Sequence, residues 1–169
     1  MGMQLIETIE VGAGGASSIE FTGIDGTGQD LVCLVSPRVS ATGYSIRARF
    51  NSDSGANYAY RNLYGTGSSV ASQGYATQSG ILFGIVSGGT NTANTFASVQ
   101  LTIPNYSGSS SKTISADSVS ENNANQAYQQ ISAGSWTGTA AITTLTISVE
   151  GTATFSQYST ASLYKVTAD

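Results

Sequence analysis

The strongest constraint on this chain is a hydrophobic period of two. Over residues 44–51, Tyr44, Ile46, Ala48 and Phe50 alternate with Ser45, Arg47, Arg49 and Asn51. Val99, Leu101 and Ile103 alternate with Ser98, Gln100 and Thr102, and Thr143, Leu145, Ile147 and Val149 with Thr144, Thr146 and Ser148. Successive side chains on a strand point to opposite faces, so each segment reads as a strand with one buried face. Residues 31–35 and 81–86 are apolar on both faces. They suit central strands covered on both sides, or strands at a subunit contact. Further strand candidates are 5–11, 18–22, 58–64, 112–119, 127–133 and 162–166.

Turn signals separate these segments, among them Gly12-Ala13-Gly14-Gly15, Asp25-Gly26-Thr27-Gly28, Asp53-Ser54-Gly55 and Gly65-Thr66-Gly67. No stretch of a dozen residues carries a helical stripe; residues 121–130 are open between one short helix and an irregular loop. About eight to ten short strands with frequent turns predict an all-β fold, an antiparallel double-sheet sandwich of jelly-roll type. There is no linker, composition shift or fixed-period repeat, so the chain is expected to form one domain over residues 1–169.

Composition excludes much chemistry. Charged residues make up 9% of the chain, against roughly 25% in an average soluble protein, and 26 Ser, 20 Thr and 20 Gly take their place. Without histidine the chain can build no Ser-His-Asp triad and no His-bearing metal site, and its single cysteine, Cys33, allows no intrachain disulfide. A lone thiol in an apolar strand reads as buried and inert. Six scattered cations in a chain of net charge −4 argue against nucleic acid, whose phosphates need clustered Lys and Arg. No apolar run approaches the roughly 20 residues of a membrane helix, and Met1 to Ile9 lacks the basic start of a signal peptide. Gly12–Gly15 lacks the Lys-Ser/Thr ending of a phosphate loop, and the sequon Asn105-Tyr106-Ser107 is read as chance. No enzyme activity, cofactor or metal is expected, and neither a membrane nor a nucleic acid as partner.

Charge is distributed unevenly. Residues 1–37 carry five acids and no base, residues 38–61 carry four arginines against Asp53, and the rest carries two lysines against four acids, giving −5, +3 and −2. Arg47 and Arg49 stand two apart on the polar face of one strand, with Arg61 nearby in sequence. They are candidate contacts to an acidic partner or neighbouring subunit; the plainer reading is a solvated strand face that discourages aggregation. Tyr58, Tyr60 and Tyr64 share strand parity and could line one face, either as a sugar-stacking platform or as core and subunit-interface packing. Residues 51–57 faintly suggest a calcium loop, but with one carboxylate a tight hairpin connection is the better reading. Asp25 and Asp30 are short of ligands in the same way.

Three groups of residues also carry a family likeness. The first is Ala16-Ser17-Ser18-Ile19-Glu20-Phe21-Thr22-Gly23-Ile24 with Asp30-Leu31-Val32. The second is Arg49-Phe50-Asn51-Ser52-Asp53-Ser54-Gly55-Ala56-Asn57-Tyr58 with Arg61-Asn62-Leu63-Tyr64-Gly65. The third is Trp136, Ile142-Thr143-Thr144-Leu145-Thr146-Ile147 and Thr160-Ala161-Ser162-Leu163-Tyr164. Together they resemble small jelly-roll virion structural proteins of tailed bacteriophages. The resemblance implies a capsid decoration (cement) protein on the outer head surface, binding the major capsid protein and assembling as a homotrimer. The alternative it implies is a tail-fibre or receptor-binding module in which the tyrosines and amide-rich segments (Asn91, Asn94, Asn122, Asn123, Asn125) bind a host glycan. It brings no catalytic residues.

Overall fold

A computed structural model describes residues 2–41, 45–89, 91–121 and 127–167. Of the residues named above, Met1, Tyr44, Asn122, Asn123 and Asn125 lie outside the described residues. Among those described there are fourteen strands and no helix. Eight strands form one antiparallel sheet. In spatial order they are β1 (Gly2–Glu10), β14 (Thr160–Thr167), β3 (Asp30–Ser36), β10 (Ser98–Ile103), β11 (Lys112–Glu121), β12 (Ala127–Trp136), β6 (Tyr58–Gly65) and β7 (Val70–Gln78). Four form a second: β2 (Ser18–Phe21), β13 (Leu145–Val149), β5 (Ser45–Phe50) and β8 (Ile81–Ile85). A two-residue parallel pair joins β4 (Arg38–Val39) to β9 (Ser87–Gly88).

The two antiparallel sheets make the expected all-β sandwich, and alternation supplies its core. Leu31, Cys33, Val35, Val99, Leu101, Ile103, Ile114, Ala161 and Leu163 point inward from the large sheet, and Ile19, Phe21, Ile46, Ala48, Phe50, Leu145 and Ile147 from the small one. Burying a side chain of this size contributes about 1.5–3 kcal/mol. The expectation of eight to ten strands is too low. The small sheet has four strands against eight, so the outermost strands β1 and β7 are left largely uncovered. A strand without a buried face needs no hydrophobic alternation, and β7, Val70-Ala71-Ser72-Gln73-Gly74-Tyr75-Ala76-Thr77-Gln78, has none. Of residues 121–130, Glu121 ends β11 and Ala127 to Gln130 begin β12, so the described part is strand, and 122–126 lie outside the described residues.

The two doubly apolar segments separate. Residues 81–84 are buried throughout, because β8 lies at the side of the small sheet and packs onto β11, β12 and β6. β3 is central but covered on one side only, with Leu34 open on the other.

Residues 51–57 are not a hairpin connection, since β5 and β6 belong to different sheets. Asn51 and Ser52 both have positive φ, 51° and 56°, and Asp53 N–H donates to the Phe50 carbonyl at 2.9 Å. This tight primed turn reverses the chain, and the residues after it cross to the other sheet. Asp53 organises the crossing. Its carboxylate accepts from Trp136 Nε1 at 2.7 Å, from Gly55 N–H at 2.8 Å and from the Asn57 amide at 3.0 Å. The Tyr58 hydroxyl donates to the Asp53 carbonyl at 3.0 Å and accepts from Phe50 N–H at 3.1 Å. The Phe50, Tyr58 and Trp136 rings pack together, with the Phe50–Trp136 centroids 5.6 Å apart and edge-on.

Candidate interaction surface

Strand register assigns each outward side chain to one of two outer faces. On the small sheet, Arg49, Thr146 and Glu20 stand opposite one another across β5, β13 and β2, and Arg47 stands opposite Ser148. Three of these groups make hydrogen bonds within the chain that help fix this face, and Arg47 makes an ion pair. Arg47 Nη2 lies 3.5 Å from Glu150 Oε1, and both side chains are partly exposed. Arg49 Nε donates to the Ser79 carbonyl at 2.6 Å and its Nη2 to Ser79 Oγ at 3.3 Å. Thr146 Oγ1 donates to Glu20 Oε1 at 3.0 Å. The Arg47–Arg49 pair therefore does share one surface, and each guanidinium already has an intrachain partner, Glu150 for Arg47 and Ser79 for Arg49.

The tyrosines share a face as their spacing predicts, and that face is the inner one. Tyr58 is 1% exposed and Tyr60 5%, while Tyr64 is half-buried on the same side of β6. Burial pushes the Tyr58 hydroxyl up to about 12 and raises that of Tyr60. Tyr58 and Tyr60 thus present no ring for a sugar to stack on. Arg61 points the other way, onto the outer face of the large sheet.

Other sequence candidates are also engaged. Asp25 is held by Lys165, whose Nζ lies 2.8 Å from Oδ2, and by Thr27 Oγ1 at 2.6 Å, which lower its carboxyl to about 2. Asp30 accepts from Asn105 N–H at 2.9 Å. Asp53 is likewise lowered, first by Trp136, and its oxygens meet N–H donors, an arrangement suited to holding a loop. Cys33 is buried in β3, and desolvation pushes its thiol up to about 12.

The surface that stands out is the outer face of the eight-stranded sheet. Nine large hydrophobic side chains are exposed, and seven of them point outward from this face: Met3, Leu5, Leu34, Leu63, Val70, Val119 and Ile131, at 40–76% exposure. Val32, Tyr164 and Val166 lie half-buried among the first three, in register with Leu5 and Met3. Ile131 is directly opposite Leu63, beside Ala133 and Arg61. Exposed apolar groups scattered singly are ordinary, but a concentration on one face marks a surface that meets another molecule. Sequence reasoning passed over it because each strand brings only one or two of these residues to its outward register, and the face appears only when the strands pair. The signal was present in the doubly apolar segment 31–35 and its alternative reading as a subunit contact.

No protein-family model matches the chain, and no curated protein matches it.

Proposed function

We propose that this protein is a bacteriophage virion structural protein: a capsid decoration protein that binds the outer head surface as a homotrimer and stabilises it. The observation that carries the contact role is the concentration of exposed apolar side chains on one outer face, against a charged and internally paired opposite face. The likeness of residues 16–32, 49–65 and 136–164 to small phage virion proteins supplies the setting. Chemistry fits a binding role: the chain has no histidine, and its one thiol is buried and held protonated. Binding across subunit junctions adds buried area that must be re-exposed before the shell comes apart. Quantitative mass spectrometry of purified parent particles tests this by counting copies of the chain per major capsid protein. Hundreds of copies per particle are expected; a handful, or none, overturns the decoration role.

A further inference from the structure

The exposed apolar groups of the large sheet do not form one patch. They fall into two flanks. The first, on β1, β14 and β3, holds Met3, Leu5 and Leu34 with Val32, Tyr164 and Val166. The second, on β12, β6 and β7, holds Ile131, Leu63 and Val70. Between them β10 presents Ser98, Gln100 and Thr102, and β11 presents Thr113, Ser115, Asp117, Val119 and, at its end, Glu121, with Asp117 directly opposite Ile131. A single protein contact has the reverse layout, an apolar centre inside a polar rim. Geometry separates the flanks further. A sheet twists by about 20–25° per strand, so β14 and β6, five strands apart, differ in direction by on the order of 100°. One flat partner does not cover both.

The flanks are also opposite in charge. The outward charges of the first flank are Glu10 and Asp30, with Glu7 exposed on the edge strand, and there is no outward cation. Within its own three strands the second flank has a single charged residue, Arg61, and the outward acids nearest to it are Asp117 and Glu121 on the neighbouring β11. Its guanidinium lies across Gly74, where a Cβ would stand only 2.2 Å from Arg61 Cδ. There Nη1 donates to the Tyr60 and Tyr75 carbonyls at 2.9 and 3.3 Å. Among the described residues Nε and Nη2 have no acceptor, which leaves them for an incoming carboxylate or for a tyrosine ring such as Tyr164.

We infer that the two flanks are the complementary halves of one contact between copies of this chain: the acidic apolar flank on β1–β14–β3 of one copy docks onto the Arg61-bearing apolar flank on β12–β6–β7 of the next. Such a contact is heterologous and joins copies head to tail, the arrangement a closed homotrimer requires, whereas like flanks paired across a two-fold would place carboxylate on carboxylate or arginine on arginine. This deepens the self-association contained in the proposed function, and it leaves the polar strip between the flanks for the shell.

Complementation tests it on the full chain. Leu5→Glu with Leu34→Glu damages the first flank, and Leu63→Glu with Ile131→Glu the second. All four positions are 41–55% exposed, and an unchanged circular dichroism spectrum with a cooperative melt shows that each variant folds. In sedimentation across micromolar to millimolar concentration, the unaltered chain is expected to form a closed oligomer and each variant alone a monomer. An equimolar mixture of the two variants retains one intact contact and is expected to run as a dimer. A mixture that stays monomeric, association lost in only one variant, or an unaltered chain that is monomeric throughout would each overturn the inference. The copy number in particles is read separately, so a failed ring and a failed decoration role give different results.

Discussion

The two outer faces of the sandwich are built by the same rule and end up chemically opposed. On the four-stranded sheet the outward residues are Arg47, Arg49, Glu20, Thr146 and Ser148, and the cations already meet Glu150 or the Ser79 carbonyl. On the eight-stranded sheet they include seven open aliphatic side chains, with five charged residues, Glu10, Asp30, Arg61, Asp117 and Glu121, spread among eight strands. Strand alternation only divides inward from outward. What distinguishes a face that meets water from one that meets protein is what the outward positions carry, and whether their polar groups are already satisfied. A solvated charge pair contributes little to stability, roughly 0–1 kcal/mol, and offers little to a partner. An exposed leucine gains only when something covers it.

Substitutions can break or sharpen this contrast, and they rank by how far each lies from the outer faces. Trp136→Ala, on the inner face, removes the ring packed against Phe50 and Tyr58 and the donor to Asp53. It is expected to cost about 3–5 kcal/mol in denaturant unfolding. A loss as small as that of an outer-face change would mean the sheets are not held from within. Asp53→Ala leaves Trp136 Nε1 and Gly55 N–H without their acceptor and is expected to cost about 1–3 kcal/mol by the same measurement.

Acid should loosen the fold in a window set by two carboxylates. Asp25, lowered from 3.8 to about 2, and Asp53, also lowered, bind protons more weakly folded than unfolded. Their contribution is complete above the unfolded value near 4 and is lost as pH falls towards 2. Thermal melts between pH 5 and roughly pH 2 should show Tm falling with pH, and Asp25→Asn should flatten that fall. An equal slope in the variant would contradict the Lys165 pairing.

The smallest stability effects are expected on the outer faces themselves. Arg47→Ser with Arg49→Ser should cost about 1 kcal/mol or less and leave the oligomer unchanged. Leu63→Glu should alter unfolding of the isolated chain by no more than about 0.5 kcal/mol, yet strip self-association. If the arginine pair proved necessary for assembly and Leu63 did not, the assignment of the two faces would be reversed.

Much of the sandwich is legible in the sequence. The alternation at 45–50, 98–103 and 145–149 gives both the strands and their inward residues. β7 is not legible, because a strand beyond the cover of the opposing sheet has no buried stripe to write. Nor does parity say which sheet a strand joins. Tyr58, Tyr60 and Tyr64 do share a face, but only pairing with β12 turns that face inward and sends Arg61 to the outside. Asp53 shows the same limit. Its single carboxylate weighed against a calcium loop, while its role as acceptor for Trp136, 83 residues away, is a product of tertiary structure. The outer apolar flanks are hidden most completely, since Leu63 meets Ile131, and Leu5 meets Tyr164, only when distant segments pair in one sheet.

Covalent footprinting of the protein in intact parent particles, compared with the isolated chain at low concentration, tests the face assignment most directly. The account predicts that labelling of Leu5, Leu34, Leu63 and Ile131 falls in the particle while the surface around Arg47 and Arg49 labels equally in both. Protection of the arginine face with the four aliphatic residues still open would contradict it.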